Sequence, residues 1–579
     1  MKSIILGKSW QFDTVDQTVV DDIVRKIGIP HIIARLLCRR GIDSPDVAER
    51  HLNPALASLS DPWRMADMDK AVDRLVKAVA THERIAVFGD YDADGVTASV
   101  LMSQFLSGLG LNVTVHIPDR VREGYGLNIE SIKIFKSKGI SLVVTVDCGI
   151  SNHQEIAFAA DLGIDVIITD HHEPPSHLPP ALAILNPKRR DCRFPFKEIA
   201  GVGVAFNLVR ALRSRLHGLG RWRNGDVPNL KNCLDLVAIG TVADMAPLLG
   251  DNRIMVKAGL EVINTKARPG LKALLQVSGV YDAVGTKDIS FRLSPRINAA
   301  GRMFHADEAF KLLVTDDDQF AMKQAERLNS INQQRQAEEA AILKEAQDII
   351  KGLGERPGYV VYSNNWNKGV VGIVASKLME QLSRPVILLA VEDGAAYGSG
   401  RSPDGVNLYE ILSECAEHLA AFGGHKAAAG LHLDIDNLGP FTKAFETSIA
   451  AKISDIDLTP RLKLDCPVSM QELISPEFQY FFEMLEPFGP GYPAPVIALR
   501  DFLILSSKVV GNNHLKLTLK PKPSPDSQNG IKMELIGWGH GDKTDLQWEG
   551  LELACTPYIS VWQERKRLEL RLEDARNAA

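Results

Sequence analysis

Six acidic positions and two histidines recur in one context along this chain. Asp90, Asp92 and Asp94 alternate within Gly89-Asp-Tyr-Asp-Ala-Asp-Gly95, Asp147 stands in Val146-Asp-Cys-Gly149, Asp170 opens Asp170-His-His172, and Asp244 follows Gly-Thr-Val-Ala. Each lies after a short apolar, strand-like run: Arg84–Phe88, Leu142–Val146, Val166–Thr169 and Leu236–Ile239. Buried parallel strands read as such runs, and open α/β sheets collect their ligands at the carboxyl ends of their strands. One sheet would therefore gather Asp92, Asp94, Asp147, His171 and Asp244 on one edge. Carboxylates so crowded stay ionised only if cations offset them, so the pattern predicts a metal cluster. The D-x-D spacing lets two carboxylates each take one of two adjacent cations, with Asp147 placed to bridge them. The His171 imidazole points toward Mn²⁺ or a similar transition metal more than toward an all-oxygen Mg²⁺ site. Two cations about 3.5–4 Å apart activate water near neutral pH and clamp both oxygens of a phosphoryl displacement. A single Asp after a strand has a plainer reading as a helix N-cap, and it is the joint occurrence that favours metal. Asp90 and Asp170 read as residues that orient ligands.

A second set of residues suits phosphate. Arg120 lies in the glycine-bearing loop Ile117–Gly126, Arg296 and Arg302 in Ser294-Pro-Arg-Ile-Asn-Ala-Ala-Gly-Arg302, and Ser399 and Arg401 in the glycine turn Gly398–Ser402. Arginine's planar fork matches phosphate oxygens, and glycine lets backbone amides approach them. The alternative for these arginines is salt bridging between domains. His425, in Phe422-Gly-Gly-His-Lys-Ala-Ala-Ala-Gly430, faces a binding cleft or belongs to a purely structural turn.

These residues need a scaffold of several domains. Residues 1–50 read as short helices leading into a first domain. From 51 to 305, strands alternate with helical stretches such as Ala71–Thr81, Thr97–Leu109 and Asn152–Leu162, the βαβ signature of a parallel sheet. Residues 306–355 hold a run from Asp316 to Lys351 without Pro or Gly. It reads as one helix about 50 Å long at about 1.5 Å per residue. A smaller α/β unit follows over 356–458, with strands at Tyr359–Tyr362 and Val386–Leu389 and a helix at Val370–Leu382. From 459 to 579 the alternation of His514–Lys520 and Leu568–Leu572 predicts a small β-barrel. The fold class is α/β with an appended barrel. Lys508, Lys516, Lys520, Lys522 and Lys532, set against Asp526 alone, with Phe502, Trp538 and Trp562 as stacking faces, suit single-strand binding. An ordinary solvated lysine face is the alternative.

At 579 residues the chain exceeds one core, and its 45% hydrophobic and 24% charged content is that of a globular protein. No run reaches the roughly 20 apolar residues of a membrane span, and the amino terminus lacks a cleavable signal. Seven scattered cysteines without a CxxC pair predict a reducing cytoplasm and argue against zinc. A net charge of −6 excludes a wholly basic coat but leaves room for one basic groove.

The four acid motifs resemble, in order, those of the DHH phosphoesterase superfamily, and Phe422–Gly430 resembles the signature of its DHHA1 partner domain. Ser294–Arg302, Leu485-Glu-Pro-Phe-Gly-Pro490 and the terminal barrel are similar to the branch of single-strand-specific 5′→3′ DNA exonucleases. The resemblance implies a DHH domain, a connecting helix, a DHHA1 domain and an OB fold. It implies two Mn²⁺ or Mg²⁺ ions, one on Asp92 and Asp147 and one on Asp94, Asp147, His171 and Asp244, with His172 on the scissile phosphate or a bound water. It places the 5′ phosphate on Arg120, Ser399, Arg401 and one of Arg296 and Arg302. The chain departs from the pyrophosphatases of the superfamily at Phe88, where they carry His; Asp90 is the residue that would compensate. The implied activity is exonucleolytic release of 5′-mononucleotides from single-stranded DNA in recombination and mismatch repair. It would act as a cytoplasmic monomer alongside a single-strand-binding protein and a RecQ-type helicase. The rivals are an oligoribonuclease or nucleotide phosphatase of the same superfamily, which would not need the barrel, and a non-catalytic strand-binding replication factor, which would not need every acid.

Overall fold

A computed structural model describes residues 3–578 apart from 6, 13, 121, 125, 223–224, 454–460, 524–531 and 563–564. It divides into two compact units, one of 1–301, 305–326 and 461–579, the other of 302–304 and 327–460.

In the first unit, a five-stranded, all-parallel sheet runs in the order Asn112–His116, Arg84–Gly89, Leu142–Val146, Asp165–Thr169, Ala183–Leu185. The second strand in sequence lies on one side of the first and the third on the other. The chain order therefore reverses at Arg84–Gly89, which places a switch-point crevice at its carboxyl end. Ala86, Phe88, Val143, Val166 and Ile168 point to one face, where they meet Ile132, Phe135, Ile156 and Ala159 of two crossover helices. Helices Met68–Thr81, Ala93–Gly108 and Gly201–Gly218 cover the other face.

Leu236–Ile239, expected as a strand, lies within the helix Leu234–Ala243. Every residue from Leu234 to Val242 is buried. A helix enclosed on all sides carries no amphipathic stripe, so its apolar, β-branched run is indistinguishable from a buried strand. Ser294–Met303, the arginine-bearing stretch, is also helical and follows a π-helical turn, Ile289–Leu293.

The terminal module is a seven-stranded sheet in the order Cys466–Ser469, Ile497–Arg500, Leu551–Trp562, Arg565–Asn577, Met533–Gly537, His514–Pro521, Phe502–Val510. The first residues of the chain do not simply lead into the parallel-sheet domain. Ser9–Phe12 pairs with Arg461–Leu464, and Val20, Ile23, Ile33, Leu37 and Leu52 share one core with Phe478, Leu499, Leu517 and Leu553. Their apolar helix faces had no partner nearby in sequence, and the barrel supplies it. Of the expected strand-binding groups, Lys508, Lys522 and Lys532 are exposed and Trp538 is 59% exposed. Phe502, at 8% exposure, is core rather than a stacking face, since the register of its strand turns it inward. Lys516 is paired with Glu534 at 2.7 Å, an acid that lies on the adjacent strand. Asp526 and the side chain of Trp562 lie outside the described residues.

In the second unit, a mixed five-stranded sheet runs Ala421–Gly424, Ala428–Asp434, Ala395–Arg401, Val386–Glu392, Tyr359–Ser363. Helices Leu408–Glu414 and Leu438–Ile453 pack on one face. Helix Val371–Leu382 packs on the other with Ile342, Ala346 and Ile350 of the long helix Asp318–Leu353. Gly398–Ser402 is not a turn: Gly398–Arg401 is extended strand, its glycines making room for Leu388, Leu389 and Leu408. Phe422–Gly430 is a hairpin whose tip carries His425, exposed.

Candidate metal centre and phosphate-binding residues

The register of the parallel sheet assembles the acidic edge. Gly89 pairs with Val146 and Val146 with Thr169, so Asp90, Asp147 and Asp170 each follow the last aligned residue of adjacent strands. Asp147 takes a left-handed φ of 62°, unusual for a residue with a Cβ, while its N–H donates to the Thr169 carbonyl at 2.9 Å. Asp92 caps the helix Ala93–Gly108, its Oδ1 accepting from the N–H groups of Asp94 at 2.9 Å and Gly95 at 3.1 Å. Asp94 receives the first N–H groups of a different helix: Gly201 donates to its Oδ2 at 2.7 Å and Val202 to its Oδ1 at 2.9 Å. The positive end of that helix steadies the carboxylate.

Asp244 enters from the end of helix Leu234–Ala243, and His171 sits among these acids. Its Nε2 is 3.2 Å from Asp147 and 4.0 Å from Asp94, and its Nδ1 is 3.8 Å from Asp244. Three groups bring possible ligand atoms within 4.8 Å of one another: Asp90, Asp92 and Asp147; Asp94, His171 and Asp244; Asp147, His171 and His172.

The electrostatics of this edge fit divalent cations. Burial, reinforced by the charge of Asp92, pushes Asp90 up to about 8 and Asp94 to about 7. Burial with the neighbouring acids lifts Asp244 to about 8 and Asp147 well above the carboxylate range. Burial and the nearby charge of His172 pull His171 down to about 4, leaving a neutral imidazole. Oδ1 of Asp90 and Oδ1 of Asp147 are buried without a hydrogen-bond donor. Buried oxygens of this kind are costly unless a proton or a cation satisfies them, and neutral imidazole with hard oxygen donors suits Mn²⁺ or Mg²⁺.

Asp170 does a different task. Its Oδ2 accepts from the Ile150 N–H at 3.0 Å, and its Oδ1 from the His171 and His172 N–H groups. His172 Nδ1 stands 2.8 Å from the same Oδ1. Burial would lower the His172 pKa, but the hydrogen bond and charge of Asp170, helped by Asp244 and Asp90, hold it up at about 9.

Among the phosphate candidates, Arg120 is exposed and lies over the ring of Tyr91, 5.2 Å from its centroid, between the acids Asp90 and Asp92. Arg296 donates to the carbonyl of Arg292 at 2.6 Å. In the second unit, Arg401 donates from Nε to Ser376 Oγ at 3.0 Å and from Nη1 to the Gly400 carbonyl at 2.8 Å. Burial lowers its pKa, and none of its described hydrogen bonds ends on an acid. Gly372, in the first turn of helix Val371–Leu382, sits against Ser399 Oγ and Arg401 Nη2. Arg302 reaches the Gly369 carbonyl just before that helix, at 3.4 Å.

Comparison with known proteins agrees with this architecture. Family models match the N-terminal domain of the DHH family over residues 84–241, the DHHA1 domain over 356–451 and the RecJ OB domain over 464–574. The single-stranded-DNA-specific exonuclease RecJ of Salmonella typhimurium is 38% identical over 94% of this chain and 96% of that protein. The chain belongs to the RecJ family. The Bacillus subtilis RecJ is 36% identical over 98% of this chain and 70% of its own length. A crystal structure of Thermus thermophilus RecJ in complex with Mn²⁺ superposes with a TM-score of 0.82 at 30% identity, covering 99% of this chain and 80% of that one. A second structure of that RecJ is a complex with Mg²⁺.

Within this RecJ-family chain, Phe88 is wholly buried with its ring stacked on His116, and Asp90 offers its oxygen beside Asp92 and Asp147. Sequence reasoning missed Asn298, whose Oδ1 accepts the Ala93 N–H at 2.7 Å and so ties Ser294–Met303 to the acidic loop. Gly301 of the same helix packs so closely on the Tyr91 carbonyl that a Cβ would come within 2.5 Å. It missed the amides of Gly201 and Val202 as well. A glycine-rich helix start was visible there, but nothing in the sequence said which acid it would meet.

Proposed function

We propose that this protein is a metal-dependent exonuclease that degrades single-stranded DNA from its 5′ end to 5′-mononucleotides, in recombination and mismatch repair. The observation that carries this is the buried acidic edge with two donor-free carboxylate oxygens, in a chain aligned nearly end to end with single-stranded-DNA-specific exonucleases. Asp90, Asp92 and Asp147 would hold one Mn²⁺ or Mg²⁺, and Asp94, Asp147, His171 and Asp244 the other. Such ions activate water and offset the charge of a phosphoryl centre.

The chain's own groups prepare that chemistry. The amides of Gly201 and Val202 and the Asp92 helix cap fix the carboxylates, so little reorganisation accompanies reaction. Asp170 orients the His172 ring through Nδ1 and keeps it cationic, a form that would donate from Nε2 to an oxygen of the scissile phosphate. In the second unit, Ser399, Arg401 and Arg302, beside the N-terminus of helix Val371–Leu382, make an anion cradle suited to a terminal phosphate. The neighbourhood of Gly369–Gly372 favours Arg302 over Arg296 for that task. Arg120 and His425 would touch the strand, and the barrel would bind it through Trp538 and the exposed lysines.

A duplex must be opened before such an enzyme acts, so a RecQ-type helicase and a single-strand-binding protein are its natural partners. We place it in the cytoplasm as a monomer; no helix among the described residues is long and apolar enough to cross a membrane. The deciding test compares a 5′-phosphorylated single strand, a dinucleotide and a blunt duplex in Mn²⁺. Preference for the single strand supports the proposal. Preference for the dinucleotide would identify a small-substrate phosphoesterase, and binding without hydrolysis a non-catalytic strand binder.

A further inference from the structure

Asp244 is the C-cap of helix Leu234–Ala243, and the chain turns immediately beyond it through Met245 at φ +59°. That left-handed conformation is disfavoured for a residue with a Cβ and persists only where the surroundings impose it. Met245 is 69% exposed, so its own side chain does not anchor the turn. The anchor lies beyond it, in the terminal module.

Leu248 is fully buried and donates its N–H to the carbonyl of Pro490 at 2.8 Å. Gly489 and Gly491 let this segment lie flat on the turn. A Cβ on Gly489 would stand 2.6 Å from the Leu248 side chain, and one on Gly491, at φ +69°, would stand 2.7 Å from Pro247 Cβ. Arg253 locks the same segment from beneath. Its buried guanidinium donates at 3.0 Å to the carbonyls of Met484, Leu485, Glu486 and Pro487 and to that of His51. A cation at those carbonyls caps the C-terminus of helix Pro476–Leu485. Thr286 Oγ1 adds a bond to the Phe488 carbonyl at 2.7 Å.

We propose that Leu485–Tyr492 of the terminal module is a positioning element for the metal centre, holding Asp244 in place through Pro247 and Leu248, with Arg253 as its clamp. This rests on the reading of Asp244 as a metal ligand. The module then has a task besides strand binding, and its removal would disturb the metal site as well as affinity for DNA.

The test uses the full chain with Gly489→Ala, which meets only a movable leucine side chain, and Gly491→Ala, which adds backbone strain. Three quantities are measured: Mn²⁺ bound at equilibrium by electron paramagnetic resonance, the rate on a trinucleotide, and affinity for a long strand without metal. Mn²⁺ affinity at one site is expected to fall about tenfold in Gly491→Ala, the scale of lost ligand support, and less in Gly489→Ala. The trinucleotide rate falls in parallel, while long-strand affinity stays within about twofold, because Trp538 and the exposed lysines are untouched. Adding Met245→Gly to Gly491→Ala restores Mn²⁺ affinity, since glycine makes the turn unaided. Wild-type Mn²⁺ binding in a folded Gly489→Ala and Gly491→Ala overturns the proposal, and Gly489→Ala alone decides if the other does not fold. Asp244→Ala separates the premise: if it still binds the full complement of Mn²⁺, Asp244 is not a ligand.

Discussion

Asp170 and His172 form a closed pair, in which one carboxylate oxygen meets both the backbone N–H of His172, at 3.1 Å, and its ring Nδ1, at 2.8 Å. The carboxylate is wholly buried, its other oxygen accepts from the Ile150 amide, and it belongs to none of the three groups of possible ligands among the described residues, which suits it to orienting rather than ligating. Asp170→Asn keeps the shape but removes the charge that keeps His172 protonated. The expected result is a loss of roughly ten- to a hundredfold in kcat, with Mn²⁺ stoichiometry unchanged, as for other groups that orient an active-site histidine. Loss of bound Mn²⁺ in this variant would move Asp170 into the metal shell.

The acidic edge predicts opposite effects on stability and activity. Asp147 is buried among acids and carries an oxygen without a donor, so without metal it opposes folding. Asp147→Asn should raise the Tm of the protein in chelator, remove most of the stabilisation that Mn²⁺ gives the wild type, and abolish hydrolysis. Thermal melts with chelator and with Mn²⁺ check this. A variant that melts lower in chelator and keeps more than about a tenth of the turnover would contradict the metal assignment.

Much of this centre was legible because it follows from periodicity. Apolar runs ending in acids fix a parallel sheet, and a parallel sheet in register places Asp90, Asp147 and Asp170 side by side. Asp244 reached the same edge by another route, from a helix whose uniform burial erased the amphipathic pattern that identifies one. Ser399 and Arg401 lie on a strand rather than in a turn, because glycines that admit leucine side chains look in sequence like glycines that make a turn. Long-range closures stayed hidden. Nothing local announces that Asn298 will cap the Asp92 loop, that Ser9–Phe12 will pair with Arg461–Leu464, or that Arg253 will clamp Leu485–Tyr492.

The proposed terminal-phosphate cradle predicts a loss confined to strand ends. Arg401→Ala should weaken use of 5′-phosphorylated strands far more than of 5′-hydroxyl strands, and Arg302→Ala should follow it while Arg296→Ala does so less. Arginine's fork is not replaced by a point charge, so Arg401→Lys should recover little. Steady-state rates on the paired substrates measure this. Equal losses on both ends would assign Arg401 a structural role.

Away from the site, Glu83 links stability to pH. It accepts from Arg74 at 2.7 Å and from Ser141, and Arg74 also meets Asp165 at 2.6 Å. Burial would raise the Glu83 pKa, but these bonds, with Thr81, lower it from 4.5 to about 2. A carboxyl depressed on folding stabilises fully above its unfolded value and loses that contribution as pH falls toward the folded one. Glu83→Gln should therefore flatten the fall in stability between pH 4.5 and about 2. Urea midpoints across that window test it, and identical pH slopes in variant and wild type would contradict it.

Hydrolysis from a 5′ end at the acidic edge shows in a time course in Mn²⁺ on one 5′-phosphorylated single strand labelled at either its 5′ or its 3′ end. The 5′ label is expected to leave at once as mononucleotide while the 3′-labelled strand shortens progressively, and Asp147→Asn to do neither. Early release of the 3′ label, or a 5′ label appearing first in longer fragments, would contradict it.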